Sequence, residues 1–198
     1  VSVSGGNAIG GLVGSAAGTI SVSYVSAGCV TCTTNIGGLV GNNTGNLINS
    51  HYNINGVTIN GANIVTPGGL YNDNLANAQG IGQYDDWQNG KLLNIADYTV
   101  ANGGSFGAPV VNSYTISNAQ GLKDMLGFAD NSLYTFTLTG MIDLAGLPGF
   151  YVPILAGSFD GAGLTVSNLN LNLPTSNLGL FGHVLSGSTV SNVVLVDA

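Results

Sequence analysis

Ile9-Gly10-Gly11-Leu12-Val13-Gly14 is repeated letter for letter as Ile36-Gly37-Gly38-Leu39-Val40-Gly41, an offset of 27 residues. After each copy a glycine follows four residues on, Gly18 or Gly45, and then a strand-like run, Thr19 to Tyr24 or Asn46 to Tyr52. A second self-similar pair lies further along, where Thr165-Val166-Ser167-Asn168-Leu169-Asn170-Leu171 matches Thr189-Val190-Ser191-Asn192-Val193-Val194-Leu195 at an offset of 24. Between its members, Leu178-Gly179-Leu180-Phe181-Gly182 reads as a shorter copy of the Gly-Leu-Val-Gly element. Self-similarity at a fixed period marks a repeat architecture.

A unit of this length holds two or three short strands of alternating polarity, each closed by Gly, Asn or Ser. That is the content of one coil of a β-solenoid. Alternating Val, Leu and Ile then point into a shared interior, and glycine permits the tight corners. One coil cannot bury its apolar face alone, but stacked coils can. The 24 asparagines fit, because Asn tolerates a left-handed backbone and ladders with Asn in the next coil. A β-sandwich also has turns every ~8 to 12 residues. Two independent repeat pairs with near-equal offsets favour the solenoid. The expected fold is all-β, a right-handed parallel β-helix with an inserted α/β segment.

Composition narrows the function. Only 6% of the 198 residues are charged, against roughly 25% in ordinary soluble domains. The basic residues are Lys91 and Lys123, all nine acids are aspartate, and the formal net charge is −7. Nucleic-acid binding needs clustered Lys or Arg to displace counterions, and a basic patch for anionic lipid is equally missing. An apolar content of 44% is too high for a disordered acidic chain, and no apolar run approaches the ~20 residues of a membrane span. The 32 glycines lack the every-third-residue spacing of collagen. A chain that starts at Val1 with no basic segment ahead of an apolar one reads as processed or excised.

The middle differs from its flanks. Both lysines, Trp87 and six of the nine aspartates fall between about Asn63 and Ser132, where the repeat vanishes. Three segments are therefore expected: N-terminal coils over 1–62, a non-repeat insertion over 63–132 and C-terminal coils over 133–198. Ser117-Asn118-Ala119-Gln120 has the form of a capping box with Ser117 as N-cap, and Leu122, Met125 and Leu126 follow at helical spacing before Gly127. One short helix is expected near 118–126. A helical turn over Gln83 to Asn89 would set Tyr84 and Trp87 three apart. After Asp130, Tyr134, Phe136 and Leu138 alternate with Thr135, Thr137 and Thr139 as a strand.

Ile36-Gly-Gly-Leu-Val-Gly41, with Gly45 and Asn49-Ser50-His51-Tyr52-Asn53, resembles the GLUG motif of bacterial surface proteins. The family motif commonly ends Asn-Ser-Tyr, so His51 reads as an inserted residue. Ile142-Asp143-Leu144, Phe159-Asp160-Gly161-Ala162-Gly163-Leu164-Thr165-Val166 and Leu178-Gly-Leu-Phe-Gly182 are similar to segments that accompany GLUG repeats in filamentous haemagglutinin-type adhesins. The resemblance implies a solenoid on the cell surface, and it implies no catalytic set.

The residues themselves agree on that last point. A hydrolase needs paired carboxylates at a fixed separation, and here the acids are scattered. Asp85-Asp86 reads as a solvated face, since no calcium-loop pattern surrounds it. Asp160 reads as a turn-capping side chain. His51 and His183 lack partners at metal-binding spacing. Cys29-Val30-Thr31-Cys32 lies in a Thr-rich β/turn stretch with no second CxxC, so a Cys29–Cys32 disulfide is preferred over a redox or zinc site. So short a loop contributes about 2 kcal/mol or less.

The expectation is a non-enzymatic, secreted or surface-displayed solenoid, a stalk or adhesin without cofactor or metal. Its partners would be further copies stacked end to end, or a glycan or protein on a host or neighbouring cell. Nucleic acid and membrane insertion by this segment are not expected. The alternative is a carbohydrate-binding or carbohydrate-cleaving β-helix, with Tyr84, Asp85, Asp86 and Trp87 as the place where a sugar stacks.

Overall fold

The computed structural model describes residues 1–48, 50–71, 113–175 and 177–197. They group into two compact units, each a stack of parallel β-coils.

In the first unit, β1 (Ser2–Ser4), β2 (Asn7–Gly10), β3 (Val13–Ala16), β4 (Thr19–Ser21) and β5 (Tyr24–Val25) form one coil. The next coil repeats it as β6 (Gly28–Thr31), β7 (Thr34–Gly37), β8 (Val40–Asn43), β9 (Asn46–Ile48) and β10 (His51–Asn53). All five strand pairs are parallel and keep one register, with Ser2 on Cys29, Ile9 on Ile36, Val13 on Val40, Ile20 on Leu47 and Tyr24 on His51. The 27-residue sequence period is therefore the coil itself.

The repeated hexapeptide makes a corner. Ile36, Leu39 and Val40 are buried, and a side chain on Gly37 would collide with the Val40 carbonyl oxygen, as one on Gly10 would with that of Val13. Leu12 and Val13 in turn donate their N–H groups to the Leu39 carbonyl at 3.0 and 3.1 Å, tying the two corners together. Gly38 is restricted for another reason: a Cβ there would enter the ring of the buried Tyr52.

The third coil is cut short. β11 (Val57–Ile59) stacks on β6, with Ile59 opposite Val30, but β12 (Gly69–Leu70) then pairs with β10, Tyr52 facing Gly69 only 17 residues on. No strand stacks on β7, β8 or β9 from this side among the described residues. Instead the chain from 60 to 68 lies across the coil end, where Val65 and Thr66 are buried.

The second unit begins with β13 (Ser113–Ile116), α1 (Ala119–Asp124) and a 3-10 turn (Met125–Gly127). It continues through β14 (Thr135–Leu138), β15 (Ile142–Asp143), β16 (Val152–Leu155), β17 (Ser158–Asp160), β18 (Thr165–Ser167), β19 (Phe181–Val184), β20 (Thr189–Ser191) and β21 (Val194–Val196). Three parallel sheets result, ordered β13-β14-β17-β20, β15-β18-β21 and β16-β19. Phe136 and Phe159 stack in register inside, and the Phe159 and Phe181 rings meet edge to face at 4.9 Å. In its coil α1 takes the place that β15 and β16 hold in the next one. Its buried Leu122, with Met125 and Leu126 of the following turn, closes that end of the interior.

Two expectations need correction. The 24-residue similarity is not a stacking register: Thr165 lies opposite Val194, while Thr189 lies opposite Ser158. Both Thr-Val-Ser triplets are strands followed by a left-handed Asn, Asn168 at φ 59° and Asn192 at φ 51°. The same strand-and-corner module is used on two different faces of the stack. The helix is present, but Asn118 is its N-cap, accepting from the Gly121 N–H at 2.9 Å. Gln120 does not reach back to Ser117, because its amide donates to Asp124 at 2.6 Å. Of the expected 63–132 insertion, the described residues 63–71 group with the first unit and 113–132 with the second, and the rest lies outside the described residues.

Candidate functional site

The polar side chains of the corners serve the stack. Asp143 accepts from the Ala145 N–H and from the Asn168 amide of the next coil, at 2.9 and 2.8 Å. Asp160 repeats the arrangement with the Ala162 N–H and Asn192, both at 2.9 Å. These donors hold both carboxyls below the ordinary carboxylate value, the backbone N–H being the larger cause. Each is an ionised turn cap whose Oδ1 accepts both bonds, as expected of Asp160. An open groove of about 520 Å³ beside them is lined by Leu144, Pro148, Asn168, Asn170 and Asp197. Its lining holds one carboxylate and no basic or nucleophilic group, so no acid–base pair can operate there.

Two buried groups are shifted further. His51 sits inside the first unit, above Tyr24 in the ladder. Burial lowers its pKa to about 4, partly opposed by a hydrogen bond with the Gly68 backbone, so the ring is neutral at pH 7. Beside it in sequence, the Tyr52 hydroxyl donates to the Ile64 carbonyl at 2.7 Å and accepts from the Thr66 N–H at 2.8 Å. The Thr66 hydroxyl accepts from the Gly38 N–H at 3.0 Å. This network fastens residues 60–68 over the coil. In the second unit the Asp130 carboxyl is enclosed although the residue as a whole is only half-buried, and this desolvation raises its pKa to about 6.

The expected Cys29–Cys32 disulfide is absent: both are free thiols, Cys29 exposed and Cys32 buried. Alternation along the strand sends the two side chains to opposite faces, and the Cys32 thiol donates to the Thr34 carbonyl at 2.8 Å. Cys29 instead faces Thr58 of the next coil, whose hydroxyl lies 3.2 Å from its sulfur. Tyr84, Asp85, Asp86 and Trp87 lie outside the described residues. Among the described residues no three His, Cys or Asp side chains converge on a point that would hold a metal ion. None of the described helices is long and apolar enough to cross a membrane.

Among the described residues, apolar side chains are also exposed on two coil faces. In the second unit Leu155, Phe159 and Val166 are at most 1% exposed, while their partners in the last coil, Val184, Val190 and Leu195, are 39–44% exposed. The first coil of the first unit is uncovered in the same way: Leu39 is buried and its counterpart Leu12 is 47% exposed. Each uncovered coil also presents the outer hydrogen-bonding edge of its strands.

No protein-family model matches the chain, and no match was found among curated proteins or solved structures.

Proposed function

We propose that this chain is a non-enzymatic structural segment of an extracellular stalk or adhesin, lengthened by stacking coil on coil. One observation carries the proposal: the described strands stack in register as parallel coils around an apolar interior, a ladder to which further coils can be added. A large apolar face on an unpaired strand edge marks an association surface. The near-absence of charge supports the same reading. In a stacked coil a side chain faces its equivalent ~4.8 Å away, where repeated like charges would repel, so neutral Asn, Ser and Thr are the favoured outward residues. The GLUG resemblance agrees with a surface setting.

Sedimentation velocity over a dilution series tests the proposal. Concentration-dependent growth beyond the monomer is expected, and Val190→Asp should suppress it by placing a charge in the apolar column. A monomer at every concentration up to hundreds of micromolar contradicts the reading. A glycan array should be blank; a signal that disappears in Trp87→Ala would favour the carbohydrate-binding alternative.

A further inference from the structure

The first unit carries a strap, residues 60–70, that is laid over the second coil rather than wound on as a full third one. Thr66-Pro67-Gly68-Gly69 is its tight turn: the Gly69 N–H donates to the Thr66 carbonyl at 3.0 Å and Gly68 takes φ 84°. The turn lies flat on the coil. A carbon added at Gly68 would stand 2.9 Å from Leu39 Cδ2, and one at Gly69 would stand 2.9 Å from the Tyr52 hydroxyl. Behind the turn, Leu70 is buried and takes its place in the ladder beside Asn53.

The attachments of the strap converge on two neighbouring residues of β10. The Tyr52 N–H donates to the Gly68 carbonyl at 2.9 Å, and the Tyr52 hydroxyl holds Ile64 and Thr66. His51, only 3% exposed, is hydrogen-bonded to the backbone of the same Gly68. Tyr24 lies opposite it in the ladder, and the other titratable groups of these coils are Tyr52, Tyr71, Cys29, Cys32 and the Val1 amino group. Residues 1–71 contain no Asp, Glu, Lys or Arg. Phenols and thiols ordinarily stay neutral, and an α-amino group charged, between pH 7 and 4. A proton taken up by these residues over that range therefore goes to His51, and no carboxylate among them can pair with the imidazolium it makes.

We infer that His51 is an acid-sensitive latch, whose protonation releases the strap from the second coil while the first and second coils stay stacked. A buried imidazolium with no counter-ion is relieved by reaching water. Lifting the Gly68 turn achieves this by breaking the few bonds that gather on Tyr52, His51 and Ile54, whereas parting the coils would break five parallel strand pairs. The end of the second coil at Leu39 and Tyr52 is thus covered at neutral pH and uncovered in acid. With 6.5 for a hydrated histidine against about 4 in the closed state, the open strap is roughly 60-fold more populated at pH 4.5 than at pH 7.

Native-state hydrogen exchange at the two pH values, read as protection factors so that intrinsic exchange rates cancel, tests the latch. The Tyr52, Ile54, Thr66 and Gly69 amides report the strap, and the Leu12, Val13, Thr44 and Asn46 amides, which bond one coil to the other, report the stack. Strap protection should fall roughly 60-fold at pH 4.5 and stack protection less than threefold. His51→Phe and His51→Gln, which take up no proton at that position, should hold strap protection constant between the two pH values. An equal loss at strap and stack, no loss at the strap, or the wild-type loss retained in the variants would overturn the latch. Should neither variant fold by circular dichroism, the wild type decides alone. Its strap protection must fall with a slope approaching tenfold per pH unit between pH 6 and 4.5, that of a single proton, and a flat profile or a two-proton slope would overturn it.

Discussion

A methyl group at position 38 has nowhere to go. Its carbon would enter the Tyr52 ring, which is buried and fastened through its hydroxyl to Ile64 and Thr66. Gly38→Ala should therefore lower stability by about 1–3 kcal/mol, the usual cost of overpacking, read from the denaturant midpoint. Gly18→Ala, with nothing within 4 Å of the added carbon, should be close to neutral. A pH effect belongs to the same scale. His51 has a folded pKa of about 4 against 6.5 when free, so the unfolded chain takes up the proton first. Stability of the first unit should be complete above pH ~6.5 and fall by up to about 3 kcal/mol as pH drops toward 4. Asp130 acts with the opposite sign. Its folded pKa of about 6 lies above 3.8, so its contribution is present below pH ~4 and lost as pH rises through 6. Denaturation at pH 7 and 4.5 should show a loss on acidification that shrinks in His51→Phe and grows in Asp130→Asn; a dependence unchanged in both variants contradicts these assignments. Thiol titration should find Cys29 reactive in the native protein and Cys32 only after unfolding, because Cys32 is inside the coil. No reactive thiol before reduction would restore the disulfide.

At the scale of elements, the sequence revealed what its own letters repeat. The Ile-Gly-Gly-Leu-Val-Gly copies mark the coil because the glycines and the apolar residues are both required at that corner, and so both recur at the stacking distance. The Thr-Val-Ser copies misled, since they record a local module, strand then left-handed Asn, that is reused within a coil. Register there depends on which sheet each triplet joins, and that is settled by interior columns such as Ile142, Val166 and Leu195, far apart in sequence. The helix was legible from Leu122 and Met125, but its cap was displaced by one residue because Gln120 had a better acceptor in Asp124. The module makes its own prediction. Asn192 supplies both a left-handed corner and the amide to Asp160, so Asn192→Gly should lose only the bond, whereas Asn192→Ala should also incur left-handed strain of about 1–2 kcal/mol. Equal melting temperatures for the two variants would count against a corner role. Cys29 and Cys32 differ in exposure because three residues along an extended chain change face, which spacing in a motif does not reveal.

At the scale of the molecule, each unit has one closed end and one open end. In the first, Tyr52, Thr66 and Val65 close the far side of the second coil, and the 1–25 coil is open. In the second, Leu122 and Met125 close the start, and the coil ending at Val196 is open. In both units the remaining coil face carries interior columns that no described residue covers. End-to-end stacking was legible in the sequence only through its repeats, with no residue marked as exposed. Which side chains form the interior columns required the strand register. X-ray diffraction from aligned assemblies of the chain tests the central claim most directly. Coils stacked end to end predict a reflection near 4.8 Å along the assembly axis. A 4.8 Å spacing lying across that axis, or assemblies with no such spacing, would contradict it.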